Sequence, residues 1–174
     1  KEFNLILTCP YESMVTDKKY FVQHFEGERE VIVEGKSFKF TVHNIVMAAE
    51  GLGALNFSDS LNCVILDAGS KILNVLYLIN GSISKMDSHT INGGTIDNSI
   101  MDLAKTFAKT CSNIDYDYPI VCTGGKAEEM KECLENVGYS TVSSAELGED
   151  KPSYYVNSVG LLLKYGRKFE EMFA

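Results

Sequence analysis

Two apolar stretches of this sequence each run directly into a turn that contains glycine. Leu61–Leu66 leads into Asp67–Ser70, and Pro119–Cys122 leads into Thr123–Gly125. Glycine at the end of a strand lets the backbone approach a phosphate or a base closely, and the N–H groups that follow can bind anions. For either turn alone, an ordinary structural turn is the commoner explanation. The order of the two turns, with the elements around them, therefore carries more information than either turn.

The hydrophobic pattern predicts strands on both sides of the first turn. Phe3–Thr8 has the pattern of a buried strand, and Glu30–Val33 forms a hairpin with Phe38–Val42 through a glycine turn. Asn80-Gly81 is a tight-turn dipeptide, so the strands around it form an antiparallel meander. The further predicted strands are Asn44–Ala48, Leu61–Leu66, Ile72–Ile79, Ser82–Asp87, Pro119–Cys122 and Tyr139–Val142.

Apolar residues recur near helical spacing in several other segments. The predicted helices are Tyr11–Phe25, one beginning within Glu50–Leu55, Ile96–Thr110, Ala127–Asn136 and Tyr154–Met172, with a loop over Ser143–Pro152. A meander followed by alternating helices and strands predicts an α/β fold with a mixed central sheet. The chain has 174 residues, of which 45% are hydrophobic, which is enough for one sizeable core.

Charge and cysteine content argue against several functions. A net charge of -8 disfavours direct binding to nucleic acid, which needs clustered Lys and Arg. The five cysteines contain no C-x-x-C pair and the three histidines have no metal-ligand spacing, so we expect reduced thiols in a cytosol and no zinc site. No apolar run approaches the ~20 residues that span a bilayer, so we expect no membrane partner.

The order of these features resembles the second half of the actin, Hsp70 and sugar-kinase superfamily. The features are Asp67–Ser70 followed by a meander, Asn92–Thr95 opening a helix, and Thr123–Gly125 after a strand. In that superfamily the D-x-G turn is the second phosphate loop and the G-G turn is the adenosine loop. The resemblance covers nearly the whole chain. It implies an α/β, actin-like ATPase domain: a ribonuclease H-like mixed sheet flanked by helices, the second half of the duplicated actin fold.

Within the superfamily the sequence resembles bacterial actin-like ATPases of the plasmid-partition type, ParM-like and AlfA-like. This likeness is carried by three stretches: Thr8–Pro10, the hairpin Glu26–Val42 leading into Val46–Gly51, and Tyr154–Gly160 continuing to Tyr165-Gly166. It implies a protein that polymerises with itself into filaments, driven by ATP or by GTP, and that moves plasmid copies apart.

The sequence departs from that family in two places. Ser70 replaces a glycine that the family's phosphate loop often has, and Ile72 to Asn74 follow without the usual hydroxyl. Many relatives also insert a whole subdomain before the strand at Gly124, where this chain has one helix and the linker Asn113–Tyr118. The fourth subdomain is thus lacking, as in the AlfA-like branch.

The chain opens at Lys1 inside a strand pattern and without Met. We therefore expect residues 1–174 to be a single actin-like nucleotide-binding domain, the C-terminal half of a longer chain whose N-terminal half is absent. The first phosphate loop would lie in that half, so residues 1–174 alone are expected to be inactive.

The resemblance implies a role for each residue that matches the family's motifs. Asp67 would hold the magnesium ion of the nucleotide, as a hard carboxylate oxygen can. Glu50 would position the attacking water, although an acid at the start of a helix also has a plain structural explanation in the helix dipole. Backbone contacts with the β- and γ-phosphates would come from Gly69 and Ser70, contacts with the ribose and phosphates from Gly93, Gly94 and Thr95, and packing around the adenosine from Thr123, Gly124 and Gly125.

The implied cofactors are therefore ATP or ADP and Mg2+, and the implied partner is a DNA-binding adaptor protein that links the filament to a plasmid. Two alternatives stay open on the residues alone. One is a small-molecule kinase of the same superfamily, and the other is a scaffold or adaptor that has kept the fold but lost turnover.

Overall fold

The computed structural model describes residues 1–148 and 153–173. Residues 149–152 of the loop predicted over Ser143–Pro152 lie outside the described residues. The elements in chain order are β1 (Glu2–Cys9), α1 (Tyr11–Phe25), β2 (Gly27–Val33), β3 (Lys36–Ala49), a 3-10 helix (Leu52–Phe57), β4 (Cys63–Ala68), β5 (Ile72–Ile79), β6 (Ser82–Ile83), β7 (His89–Asn92), α2 (Ile100–Thr110), β8 (Ile120–Thr123), α3 (Ala127–Val137), β9 (Val142–Ser144), a 3-10 turn (Ser153–Tyr155) and α4 (Val156–Phe173).

The larger sheet is mixed and has six strands, which confirms the predicted α/β class. Its order is β6-β5-β4-β8-β9, and β7 also pairs with β5. The meander strands pair antiparallel, whereas β4, β8 and β9 run parallel to one another. Parallel neighbours place the ends of β4 and β8, with the turns that follow them, side by side.

Helices cover both faces of this sheet. Val64 and Leu66 point into an apolar layer with Phe107 of α2 and Met130 of α3. The alternate residues, such as Ile65, point into a second layer that includes residues of the 3-10 helix, α4 and the end of β3. Both faces of β4 are thus buried in apolar layers, which explains why its sequence is a continuous hydrophobic run. In the described part of the chain, no helix is long and apolar enough to cross a membrane.

A separate three-stranded sheet has the order β1-β3-β2. The hairpin predicted from the glycine turn is present, but the strand expected at Asn44–Ala48 is the second half of one long strand, β3. Its first half pairs antiparallel with β2, and its second half pairs parallel with β1. Two different partners thus keep 14 residues extended, and the strand ends immediately before Glu50.

Other predicted boundaries were wrong by a few residues, for local reasons. Helix α2 begins at Ile100 instead of Ile96, because Ser99 caps it by accepting a hydrogen bond from the Asp102 N–H at 3.1 Å. The strand predicted over Ser82–Asp87 is only β6, and the unpredicted β7 takes the remaining edge of β5. The strand predicted over Tyr139–Val142 lies at Val142–Ser144, and the helix expected near Glu50 is the 3-10 helix.

Helix α4 lies against the 3-10 helix with backbone touching backbone. A Cβ atom on Gly160 would overlap the carbonyl group of Gly53, and one on Gly53 would overlap that of Asn157. Two hydrogen bonds hold this contact: the Gly53 N–H donates to Asn157 Oδ1 at 2.8 Å, and Asn56 Nδ2 donates to the Gly160 carbonyl oxygen at 2.9 Å. The contact leaves no room for a side chain at either glycine.

We predict that Gly160→Ala lowers the free energy of unfolding by about 2–3 kcal/mol, because the added methyl group forces α4 away from the 3-10 helix. Urea unfolding of the full-length protein measures this. Gly166→Ala on the same helix is the matched control, since its Cβ would meet Leu162 Cδ1 at an ordinary 3.5 Å. The control should be neutral or stabilising by up to about 1 kcal/mol; equal stability of the two variants would contradict the close contact.

Candidate functional site

A pocket of about 410 Å³ lies where the strands β3, β4 and β8 end. The predicted site residues that line it are Glu50, Asp67, Gly69, Ser70 and Gly124. The structure thus brings residues from three separate stretches of the sequence to one cavity. None of the remaining lining residues was predicted as a site residue; they are Pro10, Lys71, Ile72, Tyr154, Asn157 and Ser158.

A row of four polar residues crosses the sheet below this pocket. Asp67 on β4 is paired with Asn74 on β5 and with Thr123 on β8, and Asn74 is paired with Thr90 on β7. Directly paired residues on neighbouring strands point to the same face of a sheet. The four side chains therefore lie side by side, on the face that carries the 3-10 helix and α4.

Glu50 extends over this row from the end of β3. Its backbone N–H donates to the carbonyl oxygen of Cys9 at the end of β1, at 3.0 Å. Its carboxylate accepts a hydrogen bond from Asn74 Nδ2 at 3.0 Å. The Thr90 hydroxyl in turn donates to Asn74 Oδ1 at 3.2 Å, which fixes the orientation of the amide. The Glu50 carboxylate is thus held in one place before any ligand binds.

Asn74 is the main site residue that the sequence analysis missed. It is almost fully buried, within a strand whose neighbours are apolar. An amide inside such a run costs free energy unless it is hydrogen-bonded, so its presence is a signal that it has a partner. The partner itself lies 24 residues earlier in the chain, and nothing in the local pattern points to it.

Gly51 allows Glu50 to come this close to the row. Its φ of +86° is in the region that favours glycine, and a Cβ atom there would lie 3.0 Å from Asp67 Cβ. Ile65 Cγ2 and Thr123 Cγ2 would be the next contacts, at 3.4 and 3.6 Å. A side chain at this position would therefore lift the Glu50 turn away from Asp67.

Asp67 is held in a setting that disfavours its charge. Burial, and secondarily the negative charge of Glu50, raise the pKa of Asp67 from 3.8 to about 7. A cation beside Asp67 would reverse both effects, because it favours the charged carboxylate. The two acids are consequently a pair that a bound positive charge would stabilise.

The donor set at this pocket fits Mg2+. That ion is usually held by one or two carboxylates, while phosphate oxygens and water complete its shell. Asp67 supplies such a carboxylate and Glu50 a second one nearby. No group of three or more His, Cys, Asp or Glu side chains suited to a metal ion occurs among residues 1–148 and 153–173, so phosphate oxygens and water would have to complete the shell of an ion held here.

Gly93, Gly94 and Thr95 lie behind the Asp67–Ser70 turn. The Gly93 N–H donates to the Lys71 carbonyl oxygen, and the Thr95 N–H donates to that of Gly69. A Cβ atom on Gly94 would overlap the backbone of Ser70 and Lys71. These three residues thus brace the turn, and their predicted contact with ribose and phosphates stays a prediction.

The amides of the turn are not all available for a ligand. The Gly69 N–H donates to the Ile72 carbonyl oxygen at 2.9 Å, inside the turn. The predicted phosphate contact of the next N–H, that of Ser70, stays a prediction. The predicted phosphate contact of Gly69 remains untested, and in this conformation its N–H has another partner.

Thr123, Gly124 and Gly125 continue from β8 toward the pocket. A Cβ atom on Gly124 would lie 2.9 Å from Asp67 Oδ1, so this glycine packs directly on the carboxylate. Thr123 is buried beneath it, and its hydroxyl has no hydrogen-bond partner in the described part of the chain. Gly125 faces open space. Their predicted packing around an adenosine stays a prediction.

We predict that the stability of the protein falls as pH rises from about 4 to about 7, and that Asp67→Asn removes this part of the dependence. In that window the folded chain keeps a proton on Asp67 that the unfolded chain has lost. Each pH unit therefore lowers the free energy of unfolding by up to about 1.4 kcal/mol. Urea unfolding at several pH values measures the difference. Asp67→Asn should be the more stable protein at pH 8. Asp97→Asn, at an exposed position, is the control; identical pH profiles for all three proteins would contradict the raised pKa.

We predict that Asn74→Ala lowers the free energy of unfolding by about 1–3 kcal/mol, because it leaves the Thr90 hydroxyl and the Glu50 carboxylate without their partner. Asn44→Ala removes a similar amide contact, the 3.0 Å hydrogen bond to Asn4, at an exposed position and should cost far less. Thermal and urea unfolding of both variants test this. A loss of the same size in the two variants would mean that Asn74 does not anchor Glu50.

No protein-family model and no curated protein sequence matches the chain. Solved structures do match it. An AlfA filament bound to AMPPNP contains a chain that is 99% identical to this one, with a TM-score of 0.94; the match covers 100% of this chain and 63% of that one. The filament structure of AlfA from B. subtilis plasmid pLS32 is 99% identical over 95% of this chain and 62% of its own, with a TM-score of 0.91.

Apo psk41 ParM shares the fold at 18% identity. The match covers 96% of this chain and 66% of the ParM chain, with a TM-score of 0.57. Our chain thus spans less than two thirds of the length of the AlfA chains that it matches. The likeness to partition actins inferred from Thr8–Pro10, from the hairpin leading into Val46–Gly51 and from Tyr154–Gly160 is confirmed, and the chain belongs to the AlfA/ParM-like actin-like proteins.

Proposed function

We propose that this protein binds ATP at the pocket between β4 and β8, hydrolyses it, and polymerises with itself into filaments that segregate plasmid DNA. The observation that carries the proposal is the arrangement of Glu50 and Asp67. One carboxylate is oriented by Asn74 above the strand ends, and the other lies beside the turn that we assign to the phosphates. GTP is the second candidate nucleotide.

The geometry supports a different role for each of the two acids. Glu50, fixed by a hydrogen bond on one carboxylate oxygen, orients the attacking water with the other. Asp67 would hold the Mg2+ of the nucleotide, and that ion would supply neutralisation of the phosphate charge. Phosphoryl transfer depends mostly on positioning and on charge stabilisation, so a rigidly held acid is well suited to it.

Assembly is supported by the AlfA chains described above, which were solved as filaments, one of them with AMPPNP. We place the complete activity in the longer protein, of which this chain covers the second phosphate loop and the adenosine loop. The five free thiols suit a reducing cytosol. The net charge of -8 favours a DNA-binding adaptor protein over direct contact with the plasmid.

The test is pelleting of the full-length protein with ATP, with ADP and without nucleotide, with phosphate release measured in the same tubes. ATP-dependent pelleting with phosphate release is the expected result. Binding of nucleotide without phosphate release would instead favour a scaffold that has lost turnover, for which Ser70 in place of a loop glycine is the supporting observation. Phosphate transfer to a small molecule would favour a kinase.

We predict that Glu50→Ala in the full-length protein still assembles with ATP. Its rate of phosphate release should fall by a factor of about a hundred or more, because no side chain positions the attacking water. Glu132→Ala removes an exposed acid from α3 and is the control, with unchanged release. Unchanged hydrolysis by Glu50→Ala would sink the assignment.

A further inference from the structure

The lining of the pocket carries more negative than positive charge, which disfavours a ligand that carries phosphates. Glu50 and Asp67 contribute two carboxylates, and among the residues that the structure describes the one cationic side chain of the lining belongs to Lys71. A nucleotide tail brings several further negative charges. Like charges at such short range oppose binding unless cations are present.

Lys71 leaves the backbone from a tightly held position. Its carbonyl oxygen accepts from the Gly93 N–H at 3.1 Å, and the preceding carbonyl, that of Ser70, accepts from the Ile96 N–H at 3.0 Å. Gly94 packs against the backbone of both residues. The start of the lysine side chain is therefore fixed at the pocket wall, next to the Ser70 N–H, while the rest of the side chain is exposed to solvent.

The ammonium group of Lys71 is not held in an ion pair with any residue that the structure describes. Two other lysines form ion pairs, Lys126 with Glu129 and Lys131 with Glu128. Lys71 forms none with the residues that the structure describes. A compact, flexible point charge of this kind is a good phosphate ligand.

We propose that Lys71 is a phosphate-binding residue that contacts the phosphate tail of the bound nucleotide through its ammonium group. The proposal rests on the proposed function and adds a residue to it. The family's phosphate loop often continues with a second glycine, which offers only backbone to the phosphates. Here Ser70 and Lys71 occupy the turn, and a charged side chain compensates for that change.

The test is equilibrium binding of Mg2+–AMPPNP to the full-length protein, below the concentration at which it assembles. Lys71→Ala should weaken binding about ten- to hundredfold, the effect of losing a hydrogen bond to a charged group. Lys71→Arg should restore most of the affinity. The affinity of the wild type should also fall more steeply with salt than that of Lys71→Ala.

Lys85→Ala is the matched control, because Lys85 is exposed on a turn and does not line the pocket. Equal urea midpoints for wild type and Lys71→Ala show that the variant is folded. If the wild type binds AMPPNP and Lys71→Ala binds it equally well, the role of Lys71 is overturned while the nucleotide site stands. If the wild type binds no nucleotide, the proposed function fails and this inference fails with it.

Discussion

The carboxylates of Glu50 and Asp67 repel each other at a pocket that is only partly open to water, and the surrounding structure holds them there. Burial and the neighbouring charge raise the pKa of Asp67 to about 7. Asn74 donates a hydrogen bond to Glu50, and glycines at 51 and 124 let two further chain segments pack on Asp67 without a side chain between. Folding thus keeps two acids together at a cost in stability. A ligand that brings a cation would offset that cost, because the positive charge favours the ionised carboxylates.

Direct backbone-to-backbone contacts hold the segments that line the pocket in position. Gly94 braces the turn after β4, and the contact of Gly53 with Gly160 fixes α4 on the 3-10 helix. Glu50 lies two residues before that 3-10 helix, and Asn157 and Ser158 in the first turn of α4 line the same pocket. Close backbone packing can vary little in distance, because there are no side chains to rearrange. The pocket therefore keeps its shape even though its residues come from five separate stretches of the chain.

Local patterns in the sequence predicted the parts of the fold that depend on local chemistry. The hairpin, the strand leading into Asp67 and the helix predicted over Ala127–Asn136 are all present. The start of α2 was misplaced because Gly93, Thr95 and Ile96 hydrogen-bond back to the turn that follows β4, a tertiary contact that outweighs helical spacing. Glu50 and Asp67 could be proposed from motifs. Asn74 could not, since its role depends on strand pairing and on a residue 24 positions away, and Lys71 matters only once the lining of the pocket is known.

The polar row on β7, β5, β4 and β8 also selects the alignment of these strands. Sliding β5 by one residue against β4 would turn Asn74 into the apolar layer under α2 and α3. Sliding it by two residues would keep the faces but take Asn74 away from Asp67 and Glu50. Either misaligned sheet would bury a polar group without a partner, at a cost of about 2 kcal/mol or more. The polar residues below the pocket thus also discriminate, during folding, between the native strand alignment and the alignments shifted by one or two residues.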